Sequence, residues 1–168
     1  MSETAQSREP APPEAVVGLA GAVTVLADLV AAARNELAIL SYRLEPALYG
    51  AESLVDALRA FALRHERVRV RILVNQPDLA MRRAHRLVEL ARRLPSRFEF
   101  RELSEEQRGI VDDCVIVDVA HVWRRDSVDH FESRLFRNAP LEAQLQLRRF
   151  DPLWEQSPPA QAFRELRL

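Results

Sequence analysis

"LVDALRAFALRHERVRVRILVN", residues 54–75, is the stretch that decides the fold. Leu54, Leu58 and Phe61 recur at helical spacing and put one apolar stripe on a helix. From Val68 the period changes. Val68-Arg69-Val70-Arg71 alternates, and Ile72-Leu73-Val74 is continuously apolar, as in a strand that runs from a sheet rim into a core. A helix feeding directly into a buried strand is the repeating unit of a layered α/β domain.

The neighbouring segments extend this reading. "LAILSYRL" (residues 37–44) is a short apolar strand, and "EPALYGAE" (45–52) a turn carrying Pro and Gly. Ser53 with Asp56 three residues on has the form of a capping box. "QPDLAMRRAHRLVELARRL" (76–94) predicts one long helix with Met81, Ala84, Leu87, Val88, Ala91 and Leu94 buried, and Arg82, Arg86, Glu89 and Arg93 in water. His65 and His85, on helices between charged neighbours, are expected at the surface. "RFEFREL" (97–103) is another strand. "IVDDCVIVDVAHVWRRDS" (110–127) supplies one or two more, and "LEAQLQLRRFDPLWEQS" (141–157) is a helix stopped by Pro158-Pro159. With a helix from about Thr24 to Arg34, the order α-β-α-β-α-β-β-α predicts an α/β layered sandwich. Its central sheet is mixed and largely parallel, flanked by helices. Residues 1–14, rich in Pro, Glu, Ser and Thr, are expected to be a disordered tail, and residues 15–168 one domain.

Composition narrows the chemistry. The chain has 168 residues, a formal net charge of −1 and 24 basic residues, every one of them Arg. No mechanism that needs a lysine operates here, and no global field draws the chain to nucleic acid or anionic lipid. Nucleic acid and membrane are therefore not expected partners. The single Cys114 lies in an apolar run without basic flanks, so it is expected to be a small core residue in a reducing, cytoplasmic setting. "AVVGLAGAVTVLADLVAAA" (15–33) is long and nearly uncharged. Asp28 within it and its many Ala and Gly argue against a membrane span. Four His, one Cys and the absence of HExxH or paired Cys predict no metal site, and four scattered Gly exclude a phosphate-binding glycine loop. No cofactor is expected.

Taken together, "LADLVAAARNELAILSYRLEPALYG" (26–50), residues 54–75, the strand "CVIVD" (114–118) and the late "RRFDPLWEQS" (148–157) resemble one half of a phospholipase D-like domain. The resemblance spans roughly residues 20–157. In that superfamily a strand carries His-x-Lys-x4-Asp; the His attacks phosphorus and the Lys stabilises charge on the phosphoryl oxygens. With Asp118 at the Asp position, the Lys position is Asp113 and the His position is Val111. The resemblance thus implies the fold, with the catalytic residues lost, and a domain of unknown function of proteobacterial type. It also implies a partner. Two halves form the family's cleft, so a single half implies a homodimer or docking onto another protein, and similar domains are joined in places to an acetyltransferase.

Other groups in residues 110–127 invite chemistry. Asp112 and Asp113 alternate along a strand, so both cannot face Asp118 around a cation. His121, Trp123, Arg124 and Arg125 form a candidate anion or phosphate platform, as do Arg82 and Arg86. The plainer expectation is that Trp123 covers the sheet edge and the Arg stay in water. The competing functional reading is a phosphodiesterase or nuclease with atypical residues, using His121 or His130 with Asp118, or a non-catalytic binder of phosphate or nucleic acid.

Overall fold

A computed structural model describes residues 11–81 and 85–163. The chain forms strands β1 (Glu14–Val17), β2 (Glu36–Ser41), β3 (Arg69–Val74), β4 (Phe98–Glu102), β5 (Asp113–Val117), β6 (His121–Arg125) and β7 (Glu132–Phe136). Its helices are α1 (Gly18–Ala32), α2 (Pro46–Tyr49), α3 (Glu52–Ala62), α4 (Pro77–Met81), α5 (Arg86–Arg93) and α6 (Pro140–Gln156). The seven strands make one sheet in the order β1-β7-β6-β5-β2-β3-β4.

The sheet is mixed and lies between helical layers, as the sequence predicts. Parallel pairing is confined to β2–β3 and β3–β4, and the other four pairings are antiparallel. Helices α3 and α5 supply the crossovers that parallel strands need, whereas β5 and β6 are joined by a turn too short for anything but a hairpin. Strands β1 and β7 escape the sequence reading altogether. β1 has four residues beside a Pro-rich segment, and β7 alternates only weakly among charged residues.

Two cores lie on the two faces. Beneath α1, α3 and α5, Leu26, Leu29, Leu58 and Phe61 pack on Leu37, Ile39, Ile72, Val115 and Trp123. Beneath α6, Phe150 and Trp154 pack on Ala38, Leu40, Leu73, Cys114, Ile116 and Val122. The alternation of β2, β3 and β5 places successive side chains in opposite cores. Arg101 lies 4.3 Å over the Trp154 ring and Arg71 4.9 Å over Phe150, closing the second core at its rim.

Local punctuation departs from the sequence in four places. Helix α3 begins at Glu52 after Ala51, with no side-chain cap, so the Ser53–Asp56 box does not form. "EPALYGAE" contains the short helix α2, with Pro46 in its first turn. The long helix expected over residues 76–94 is two helices. His85 has an extended backbone and caps α5, its Nδ1 accepting the Leu87 N–H at 3.2 Å. His85 is therefore buried, not a surface residue. The residues expected to form a tail lie mostly outside the described range, and Glu14 already belongs to β1. Among the described residues no helix is long and apolar enough to cross a membrane.

Candidate functional site

The site predicted from the resemblance splits between the two ends of strand β5. At its far end Asp118 opens the hairpin to β6. Asp118 and Val119 both have positive φ, 53° and 52°, as the two central residues of a primed turn require. Asp tolerates that conformation; Val does not do so readily and stores strain there. The Asp118 carboxylate accepts three backbone N–H groups, from Arg34 at 2.7 Å, Asn35 at 2.8 Å and Glu36 at 3.0 Å. Its own N–H donates to Glu36 O. Asp118 thus ties the hairpin to the link between α1 and β2. Both of its oxygens are engaged in structure.

His121, nearby at the start of β6, accepts the Asn138 N–H at Nδ1 over 2.9 Å. Burial and then Arg137 hold its imidazole below the usual value, against a smaller pull from Asp118. His130 is exposed in the loop before β7.

At the near end of β5, Val111 is 47% exposed and precedes the strand. Asp112 and Asp113 part company as alternation demands. Asp112 points toward α6 and receives a bidentate contact from Arg149 at 2.6 and 2.7 Å. Burial pushes its carboxyl up, but Arg149 with Arg124 wins and lowers it. Asp113 turns to the other core and is fully buried. It sits opposite Arg125 in the β5–β6 register, accepts Arg125 Nη2 at 2.7 Å and accepts the Tyr42 N–H at 2.9 Å.

Arg125 is itself fully buried, in contrast to the solvated Arg the sequence predicts. A guanidinium placed inside a sheet must be paired, and the cross-strand aspartate makes that possible. Burial alone would lower the Arg125 guanidinium; Asp113 beside it outweighs that and raises it. Phe131 covers it at 4.7 Å, and Glu45 reaches both of its terminal nitrogens at 3.3 Å. Around this pair, Tyr49 Oη and Arg125 Nε are buried without a hydrogen-bond partner. At the position the resemblance assigns to a catalytic lysine there is thus an aspartate, and the cation comes from the neighbouring strand.

The remaining candidates do not converge here. Trp123 is fully buried in the first core, its indole N–H donating to Ser133 Oγ at 2.9 Å; it does not cover an edge. Arg124 faces α6 between Asp112 and Asp126. Arg86 lines a shallow groove between α3 and α5 in which Arg59, Arg86 and Arg93 face Glu52, Asp56 and Glu89, a balance of charge unsuited to an anion. Arg82 lies outside the described residues. Cys114 is a core residue whose thiol burial pushes up to about 12. Among the described residues no group of three or more His, Cys, Asp and Glu side chains is arranged to hold a metal ion. Sequence reasoning missed Glu45, Tyr49 and Ser41, which complete the surroundings of the buried pair. The turn reading of residues 45–52 hid the first two.

Comparison with known proteins accounts for the architecture. The family described as Domain of unknown function (DUF7931) matches residues 19–166, and the chain belongs to it. No curated protein sequence matches the chain. Among solved structures it is similar to NucT from Helicobacter pylori, at 14% identity and a TM-score of 0.65 over 89% of this chain and 99% of that one. It is similar to Nuc from Salmonella typhimurium, a phospholipase D family member, at 18% identity and a TM-score of 0.60 over 89% and 99%. It also resembles TrmBL2, an archaeal chromatin protein with a novel mode of DNA binding, at 17% identity and a TM-score of 0.64. That match covers 94% of this chain and 56% of the archaeal one, so the chain spans about half the length of that protein. These likenesses show a phospholipase D-like fold.

Proposed function

We propose that this member of the DUF7931 family is a non-catalytic phospholipase D-like module that acts in the cytoplasm by associating with itself or with another protein. The observation that carries the reading is the Asp113–Arg125 pair. In an active cleft the corresponding cation must be free to meet phosphoryl oxygens. Here Asp113 and Arg125 neutralise each other in the core, and a valine stands where a nucleophile is required. The reading built on His121 and Asp118 has weaker support. Both Asp118 oxygens hold backbone N–H groups, and His121 Nδ1 already accepts Asn138 N–H.

The exposed Val111 lies on the face expected to meet a partner. Light scattering coupled to size exclusion tests this directly. The expected result is a dimer that Val111→Arg splits into monomers without loss of helical signal. A dimer indifferent to Val111→Arg would place the contact elsewhere and overturn the assignment of this face.

A further inference from the structure

Helix α6 is apolar on both sides. Its inner side, with Ala143, Phe150, Leu153 and Trp154, closes the second core. On its outer side Leu141 and Leu145 lie one turn apart, 74% and 56% exposed, and exposed Arg148 follows three residues on. Steps of four and three are the spacing of a seam that packs on another helix. A single leucine in water needs no explanation. Among the described residues, though, the other exposed large apolar side chains are Val17, Leu63 and Val111, each on a separate segment, so only Leu141 and Leu145 share an element. Val111 is linked to them through one ion pair. It precedes Asp112, which Arg149 of α6 holds, and Arg149 lies one turn beyond Leu145.

The charges beside this seam are self-complementary. Glu142 and Arg149 share one flank of it, seven residues apart, at equal distances from the midpoint between Leu145 and Gln146. Around Arg149, the guanidiniums of Arg124, Arg134 and Arg149 face the carboxylates of Asp112 and Asp126, which leaves one positive charge in excess. Among the described residues Glu142 meets no cation; its Oε1 accepts Gln146 Nε2 at 2.9 Å. An antiparallel copy of α6 centred on that midpoint sets Leu145 against Leu145 and lays the Arg148 methylenes over Leu141. It also brings Glu142 of each chain to Arg149 of the other. A parallel copy would set like charges together.

We infer that α6 is the docking helix of this module and that its occupant is the α6 of a second copy, packed antiparallel about a two-fold axis beside Leu145. The inference rests on the self-associating reading of the proposed function and deepens it: the face marked by Val111 continues across the Asp112–Arg149 pair onto α6. Because the contact is isologous, it closes at two chains and does not propagate. Helix α6 has 17 residues, a length of about 25 Å. A helix pair of that length falls below the roughly 800 Å² per partner of a standard interface, so the dimer should dissociate in the micromolar range.

Cysteine cross-linking of the full chain under mild oxidation tests the register. Cys114 is buried, with its thiol pushed up to about 12, so it stays silent. Leu145→Cys puts two thiols at the axis and should give a covalent dimer. In Leu141→Cys the two thiols lie about 13 Å apart along the helices, beyond the reach of a disulfide, and the chains should stay separate. Both positions are exposed, so neither change disturbs the core. Glu142→Arg sets arginine against arginine twice and should raise the dimer dissociation constant about tenfold, read by sedimentation equilibrium. No cross-link in Leu145→Cys, or one that forms as fast in Leu141→Cys, overturns the inference, as does an unchanged dissociation constant in Glu142→Arg. A wild-type dimer that Val111→Arg splits, but that Leu145→Cys does not cross-link, overturns this inference alone and leaves the proposed function standing. A wild-type chain that is monomeric at every concentration overturns the self-association with it.

Discussion

Replacing Arg125 with Met probes the buried pair at its centre. Methionine roughly keeps the volume and removes the charge, leaving Asp113 fully buried with the Tyr42 N–H but no cation beside it. Breaking a buried pair from one side costs about 3–5 kcal/mol, because a charge is left without compensation. In a domain of this size that lowers the melting temperature by roughly 6–20 °C. The companion change Asp113→Asn should cost less, since the amide is neutral and Arg125 retains Glu45 at 3.3 Å. The double variant Asp113→Asn/Arg125→Met should then recover about 2 kcal/mol or more relative to the sum of the single changes, because the sites are in direct contact. Urea unfolding followed by tryptophan fluorescence suits the measurement. Trp123 lies two residues from Arg125 and is fully buried, and Trp154 sits in the second core. Additive single effects, or a loss under about 1 kcal/mol in Arg125→Met, would mean that Arg125 is not committed to Asp113.

Two further predictions address the other end of the sheet and the helix junction. Asp118→Ala removes the acceptor of three backbone N–H groups and puts alanine at φ 53°, so unfolding should become easier by about 2–4 kcal/mol with the oligomeric state unchanged; a neutral effect would remove Asp118 from its structural role. His85 has its imidazole lowered from the ordinary value by burial, against the pull of Leu44 O, so the unfolded chain binds its proton first as pH falls. Its contribution is complete above the unfolded value of about 6.5 and is lost as pH falls from there through the lower folded value. Denaturant midpoints measured between pH 7.5 and 5 should decline in wild type and decline less in His85→Asn, which keeps an N-cap acceptor; parallel curves would contradict the assignment.

How much of this was legible in the sequence depends on which signal each residue left. Residues 54–75 announce their helix and strand because the period changes from 3.6 to 2 within one stretch, and the structure keeps both as α3 and β3. The opposed directions of Asp112 and Asp113 follow from strand alternation alone. Asp118 stood out as the acidic end of the strand, and its three N–H contacts supply the physical reason for its presence. The burial of Arg125 was not readable, since an arginine signals water unless its partner is known, and that partner is set by β5–β6 register. His85 was hidden for a different reason: the apolar stripe runs on through the break between α4 and α5, so periodicity reports one helix where the backbone makes two. The count of antiparallel pairings was missed with β1 and β7, short strands whose sequences, EAVV and ESRLF, hold too few apolar residues to announce an alternation.

On the proposed function this sheet end cleaves no phosphodiester, because its cation is neutralised by Asp113 in the core. The most direct measurement is hydrolysis of bis(4-nitrophenyl) phosphate by the purified chain, beside its His121→Ala and Asp113→Asn variants. Nitrophenol should appear at the buffer rate in all three. Turnover by the wild type that disappears in His121→Ala would contradict the proposed function.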